Sequence, residues 1–173
     1  VPVESIVTSD QTHTTNVRKV GKADCGAGVT GPKMFHDVDG MITDEPQVTL
    51  ATFYADCVPL YFVDTEHHAI GLSHSGWRGT VGRMGAATIR AMQKHYGTDP
   101  KHLICAIGPS ICQDCYEVSE DVADAFKEEF GAEISQDDST SCYSWNGKSI
   151  LMNKGNGKYQ LDLWGANRLV LLD

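Results

Sequence analysis

Ala55-Asp56-Cys57-Val58-Pro59 and Ser73-His74-Ser75-Gly76-Trp77-Arg78-Gly79 hold the residues of this chain best suited to chemistry. The stretch between them reads as two strands joined by a turn at Asp64-Thr65-Glu66. Antiparallel pairing brings Cys57 and His74 together at one edge of a sheet. A thiolate and an imidazole placed there serve as two ligands of a metal, or as a nucleophile and its base. Arg78 follows closely enough to offer a fork of donors to a phosphate or carboxylate.

A metal site with an open position takes about three protein ligands. His13, His36, His67, His68, His95, His102 and Asp56 are the candidates for the third. His13 directly precedes an expected strand and ranks first, with His36 behind it. His67 and His68 fall in the turn at the far end from Cys57. His95 and His102 flank a helix end, where the dipole alone explains a cationic histidine. The competing reading is a free buried cysteine near a core histidine.

Gly76-Trp77-Arg78-Gly79 leads into a helix, whose first turn offers unpaired backbone donors to an anion. Arginine is unfavourable for the dipole there, which favours a ligand role over a solvent-facing ion pair. Asp56 and Glu117 are candidates for proton transfer, although most glutamates simply face water. Cys112-Gln113-Asp114-Cys115 is a lone CxxC without the second pair that a zinc ribbon needs or the strand–helix setting of a thioredoxin-like motif, and reads as structural or incidental thiols ahead of a redox pair.

The elements that must position these groups follow from pattern. Strands are expected at Thr15–Val20, Val48–Tyr54, Leu60–Val63, Ala69–Ser73 and, as a buried strand, Leu103–Ile107. Lys22–Asp39 is expected to be a long loop. From Trp77 to about His95 the apolar residues Val81, Met84, Ala87, Ala91 and Met92 take helical spacing, and Gly97 and Pro100 end it. Ser119 is expected to cap a helix reaching Phe130. A hairpin is expected at Asn146-Gly147 within the polar segment 133–156, and a helix over Leu161–Leu172. Adjacent strands joined by short turns, with helices between, predict an α+β fold of mixed β-sheets layered with flanking helices.

The 173 residues suit one domain, with 41% hydrophobic and 21% charged residues. A net charge of −9 argues against a nucleic-acid partner. No apolar run is long enough for a membrane span, and the first residues do not read as a signal peptide. Six cysteines without a secretory signal are expected to be reduced thiols, which points to the cytoplasm. No obligatory protein partner is evident.

Gln11-Thr12-His13, Asp39-Gly40-Met41-Ile42-Thr43, Ala55–Pro59, His74–Gly79, Gly108-Pro109-Ser110-Ile111 and Tyr116-Glu117-Val118 occur in that order. Tyr159-Gln160-Leu161-Asp162-Leu163 with Asn167-Arg168 follows. In these motifs the chain resembles the YfiH-like family. That family is also called the multicopper polyphenol oxidoreductase (laccase) family and, for some bacterial members, peptidoglycan editing factor. The resemblance implies a layered fold of mixed sheets with helices, and a zinc held by His13, Cys57 and His74. It implies phosphorolysis of purine nucleosides (adenosine, inosine, guanosine and methylthioadenosine) and deamination of adenosine. Older assignments in the family imply copper-dependent oxidation of phenols instead. Family members usually extend further at both ends, so the chain is expected to be truncated there.

The reading adopted from the sequence is thus a zinc-dependent purine nucleoside phosphorylase with adenosine deaminase activity, acting on a nucleoside and phosphate. Cys57, His74, Arg78, Asp56 and Glu117 are its candidate catalytic residues. The alternatives are a copper-dependent phenol oxidase, a cysteine hydrolase using Cys57 and His74, and a non-catalytic zinc-stabilised module.

Overall fold

The computed structural model describes residues 1–137 and 142–173. In chain order the elements are β1 (Ile6–Val7), β2 (Val17–Lys19), β3 (Gly40–Thr43), β4 (Thr49–Leu50), β5 (Val58–Asp64), β6 (Ala69–Ser75), α1 (Trp77–Val81), α2 (Met84–Tyr96) and β7 (Ile104–Ile107). They continue with β8 (Glu117–Ser119), α3 (Glu120–Phe130), β9 (Ser135–Asp137), β10 (Cys142–Trp145), β11 (Lys148–Gly155), β12 (Lys158–Leu161) and α4 (Leu163–Leu172). Among the described residues there are two five-stranded sheets, ordered β2-β3-β6-β5-β7 and β8-β12-β11-β10-β9, and a parallel β1–β4 pair. This is the expected α+β arrangement of mixed sheets with helices.

The first sheet positions the chemistry. β5 and β6 form an antiparallel hairpin in register from Val58↔Ser75 to Asp64↔Ala69. Leu60 and Phe62 of β5 and Ala69 of β6 point inward, alternating with exposed neighbours as the two-residue period of a strand requires. That inward face joins Met92, Phe126, Phe130, Leu161, Leu163 and Leu169 from the helices and the second sheet in one apolar core. The opposite face is covered at its β3 end by a smaller cluster of Val7, Val20, Ala27, Phe35, Val38, Met41 and Val48. At its β5–β7 end, Tyr61, Val63, Ile70 and Ile104 remain exposed.

Several expected elements take a different form. The helix over Trp77–His95 is broken after Val81: Gly82 and Arg83 separate α1 from α2, and Arg83 adopts φ 56°, in the left-handed region. The guanidinium of Arg83 holds that break, ion-paired to Glu129, Glu133 and Asp173 and lying 5.2 Å from the Phe130 ring centroid. Val48–Tyr54 is a strand only at Thr49–Leu50, because beyond it the chain turns to pack against Gln11, whose side chain bonds Phe53 N and O. β7 is an edge strand rather than a buried one, with Ile104 59% exposed. Ser119 precedes α3, but its hydroxyl bonds the Asp121 carboxylate instead of capping the backbone. The last helix begins at Leu163, since Asp162 caps it through Gly165 N at 2.9 Å. The Asn146-Gly147 hairpin forms as expected, both residues having positive φ. Residues 138–141 of the polar segment lie outside the described residues.

Candidate metal centre

Cys57 directly precedes β5 and Gly76 directly follows β6, so the register that pairs Val58 with Ser75 places them side by side. His74 lies opposite Pro59, its side chain on the sheet face shared with Leu72 and Ile70. Ser73 and Ser75 turn the other way and are fixed inside by Thr88 Oγ1 at 2.7 Å and Asn167 Oδ1 at 2.8 Å. The strand is thereby locked in its rotation, and His74, only 5% exposed, has one direction available.

His13 arrives from the loop before β2. Its φ of 66° is a left-handed conformation that L-residues rarely take. Asp39, at the head of β3 and fully buried, holds it: the backbone N–H groups of Thr12, His13 and Thr14 donate to the Asp39 carboxylate at 3.2, 3.1 and 2.7 Å. Thr14 Oγ1 adds a bond of 2.8 Å. The same carboxylate meets His74 Nδ1 at 2.8 Å, and the Asp39 carbonyl accepts from His74 N at 2.7 Å.

The donor atoms of His13, Cys57 and His74 lie within 4.8 Å of one another, with Cys57 Sγ to His13 Nε2 at 4.0 Å. The two imidazoles cross edge to face, centroids 5.0 Å apart, and Tyr54 stands 5.6 Å from the His74 ring. A side chain at position 76 would intrude here, since a Cβ would come 2.8 Å from Cys57 Sγ and 3.1 Å from His13 Cδ2. Two imidazoles and a thiol, with Nδ1 of one histidine already engaged by a carboxylate, suit a transition metal. Among the described residues this is the one group of three or more such side chains able to hold an ion.

Electrostatics of the site follow from the same contacts. Burial by itself would raise Asp39, but hydrogen bonds from His74, Thr14 and His13 outweigh it and hold the carboxyl at about 2. Burial would lower His74, yet Asp39 and Cys57 push it up to about 9. Tyr54 is raised to about 12, chiefly by burial.

The remaining expected residues divide. Arg78 is exposed, its guanidinium 4.2 Å from the Trp77 ring centroid. α1 is only five residues long, so no long helix dipole stands beside Arg78. Asp56 is exposed, and its carbonyl accepts from Ile111 N at 3.1 Å. Tyr116 gathers these groups: burial raises its hydroxyl, the charges of Cys57 and Asp56 raise it further, and Arg78 lowers it. Glu117 lies outside this grouping on β8, exposed, with Lys158 Nζ 3.9 Å away. Asp39, Tyr54, Gly76 and Tyr116 were not singled out from sequence as site residues. Asp39, Gly76 and Tyr116 stand within the motifs that carry the family resemblance, whereas Tyr54 carried no signal.

Comparison with known proteins gives a consistent result. The family described as multi-copper polyphenol oxidoreductase laccase matches residues 1–173. A purine nucleoside phosphorylase of Bacteroides thetaiotaomicron is 36% identical over 170 residues, covering 98% of this chain and 58% of that protein. The purine nucleoside phosphorylase YlmD of Bacillus subtilis is 35% identical over 176 residues, covering 99% and 57%. The adenosine deaminase RL5 of an unknown prokaryotic organism is 32% identical over 173 residues, covering 99% and 61%. The crystal structure of YlmD from Geobacillus stearothermophilus superposes with a TM-score of 0.84 at 35% identity, covering 99% of this chain and 59% of that one. The chain thus spans about three fifths of the length of these relatives.

Proposed function

The chain belongs to the multi-copper polyphenol oxidoreductase laccase family, and on that premise we propose that it is a zinc-dependent purine nucleoside phosphorylase that also deaminates adenosine. The observation that carries the reading is the His13–Cys57–His74 group, three donors of which two, His13 and His74, are held by one buried carboxylate. Three protein ligands leave a position open to substrate, whereas a structural zinc takes four, which disfavours a non-catalytic zinc module. Zinc bound there supplies a Lewis acid next to the substrate.

The chain's own groups do the rest. Asp39 holds a proton on His74 Nδ1, fixing the tautomer that turns Nε2 toward the centre. Arg78, kept in place by the Trp77 ring, receives the phosphate or another anionic group of the substrate. Asp56 stands beside Cys57 as the nearest carboxylate in sequence for a proton, and Glu117 is the weaker choice because it faces Lys158. The relatives named for phosphorolysis and deamination support this chemistry. Cys25, Cys57, Cys105, Cys112 and Cys115 as free thiols support a reducing compartment. No helix is long and apolar enough to cross a membrane.

Copper-dependent phenol oxidation requires several converging histidines. Here His36, His67 and His102 pair instead with Asp10, Asp64 and Glu66. A second reading has one specific observation behind it: Cys57, His74 and Asp39 are arranged as nucleophile, base and orienting acid. It gives His13 no task, although the backbone there is strained to bring its ring to the thiol.

Zinc-loaded protein incubated with inosine or adenosine, with and without phosphate, tests the proposal. Ribose 1-phosphate and free base appear only with phosphate, and inosine forms from adenosine. No product above a Cys57→Ala control sinks it. Activity that survives complete metal removal and is abolished by an electrophile on Cys57 selects the hydrolase.

A further inference from the structure

Cys112 and Cys115 lie on one 3-10 turn, Gln113–Cys115, between the Gly108–Ile111 segment and β8. The turn closes on itself through Cys115 N to Cys112 O at 3.1 Å and Tyr116 N to Gln113 O at 3.1 Å. It is tied to the second sheet by Gln113 Nε2 to Ser149 O at 3.1 Å and Gln160 Nε2 to Asp114 O at 2.7 Å. Both thiols are free, Cys112 half-buried and Cys115 exposed, and Cys112 is close enough to raise the Cys115 thiol. A dithiol held on an anchored turn is positioned for one reaction above others.

Zinc ligation does not explain the pair, because no third donor joins it among the described residues. The turn also adjoins the metal centre at both ends. Ile111 N bonds the carbonyl of Asp56, the neighbour of Cys57, and Tyr116 stands within electrostatic reach of Cys57, Asp56 and Arg78. Any change in the turn therefore reaches the wall of that site.

We infer that Cys112 and Cys115 are a redox-active dithiol, a covalent modification site that closes to a disulfide on exchange with a small-molecule disulfide and displaces Tyr116 against the metal centre. The exposed Cys115 thiolate attacks one sulfur of the small disulfide, and the other sulfur leaves as a thiolate. The Cys112 thiolate then attacks the Cys115 sulfur, forming the Cys112–Cys115 bond and expelling the second thiolate. The two thiol protons pass to solvent or to the leaving thiolates. The protein is oxidised by two electrons and the small disulfide is reduced. Cys112, and to a smaller extent burial and Asp114, hold Cys115 above the ordinary thiol range, which slows the first attack at neutral pH.

Glutathione disulfide added to metal-free protein tests this by intact mass and peptide mapping. Wild type loses two hydrogens and yields a linked Cys112–Cys115 peptide that reductant reverses. Cys112→Ser retains a glutathione adduct on Cys115, the attack without its resolving step. Coupling to the site is read from the iodoacetamide alkylation rate of Cys57, resolved by peptide. Oxidation changes that rate by about threefold or more in wild type and leaves Cys115→Ser unchanged. Glutathione adducts that persist on wild type without a linked peptide overturn the dithiol. A linked peptide with an unaltered Cys57 rate overturns the coupling. Neither readout requires zinc binding or nucleoside turnover, so the failure of those proposals is seen separately.

Discussion

Asp39 Oδ1 lies 2.8 Å from His74 Nδ1 and accepts the backbone N–H of His13 at 3.1 Å, so one carboxylate oxygen orients two of the three metal-binding side chains. Substituting Asp39→Asn removes the charge and leaves donors facing a donor. Zinc affinity, measured by competition with a chelator, is expected to fall by about 10–100-fold, the usual effect of removing such a partner. Unchanged affinity would mean that His13 and His74 are oriented by their own packing.

Gly76 has ordinary backbone angles, φ −72° and ψ −176°, so alanine at this position suffers no conformational strain. Its Cβ would still stand 2.8 Å from Cys57 Sγ. Gly76→Ala is therefore expected to fold with an unaltered circular dichroism spectrum and to bind zinc well below one equivalent. Full occupancy in metal analysis would contradict the close approach.

Arg78→Ala is expected to leave zinc content intact and to raise the KM for phosphate by about 10–100-fold, the effect of losing a charge-assisted contact. The measurement is initial rate against phosphate concentration at saturating inosine. A change confined to kcat would move Arg78 from anion binding to the chemical step.

Asp64 is 3% exposed and caps the 65–68 turn, accepting Glu66 N and His67 N at 3.0 Å and His67 Nδ1 at 2.9 Å. Burial alone would raise its carboxyl, but the Thr98 side chain first, and then the backbone and ring of His67, hold it at about 2. A carboxyl lower in the folded than in the unfolded chain stabilises the fold above its unfolded value of 3.8. That contribution fades as pH falls from 3.8 toward 2. Asp64→Asn is expected to cost about 1–3 kcal/mol at neutral pH and to flatten the acid limb of a denaturation series. A parallel acid limb in wild type and variant would remove Asp64 as its cause.

The centre of the site was legible because its geometry is local and periodic. A turn at 64–66 and two apolar strands suffice to bring Cys57 and His74 to one edge. His13 was reachable only as the histidine ahead of a strand, and its left-handed backbone has no mark in the residue itself. Asp39 acts through backbone N–H groups 25 to 27 residues away, a relation that side-chain spacing does not express. The break at Gly82-Arg83 was hidden because helical apolar spacing runs on across it, and the carboxylates that hold Arg83 come from α3, the turn after it and Asp173. Val48–Tyr54 has strand-like composition throughout. Its second half is diverted by Gln11, which lies far outside the segment.

The uncovered part of the first sheet governs how copies of this chain behave toward one another. Tyr61, Val63, Ile70 and Ile104 form an apolar strip beside the edge of β7, where backbone groups have no strand partner among the described residues. A net charge of −9 keeps such strips apart while the charges are felt at distance. Added salt shortens that reach to about 10 Å at about 0.1 M, and the strips then meet before repulsion acts. Light scattering against salt concentration is therefore expected to rise with ionic strength, counter-ions as much as fold setting the colloidal behaviour.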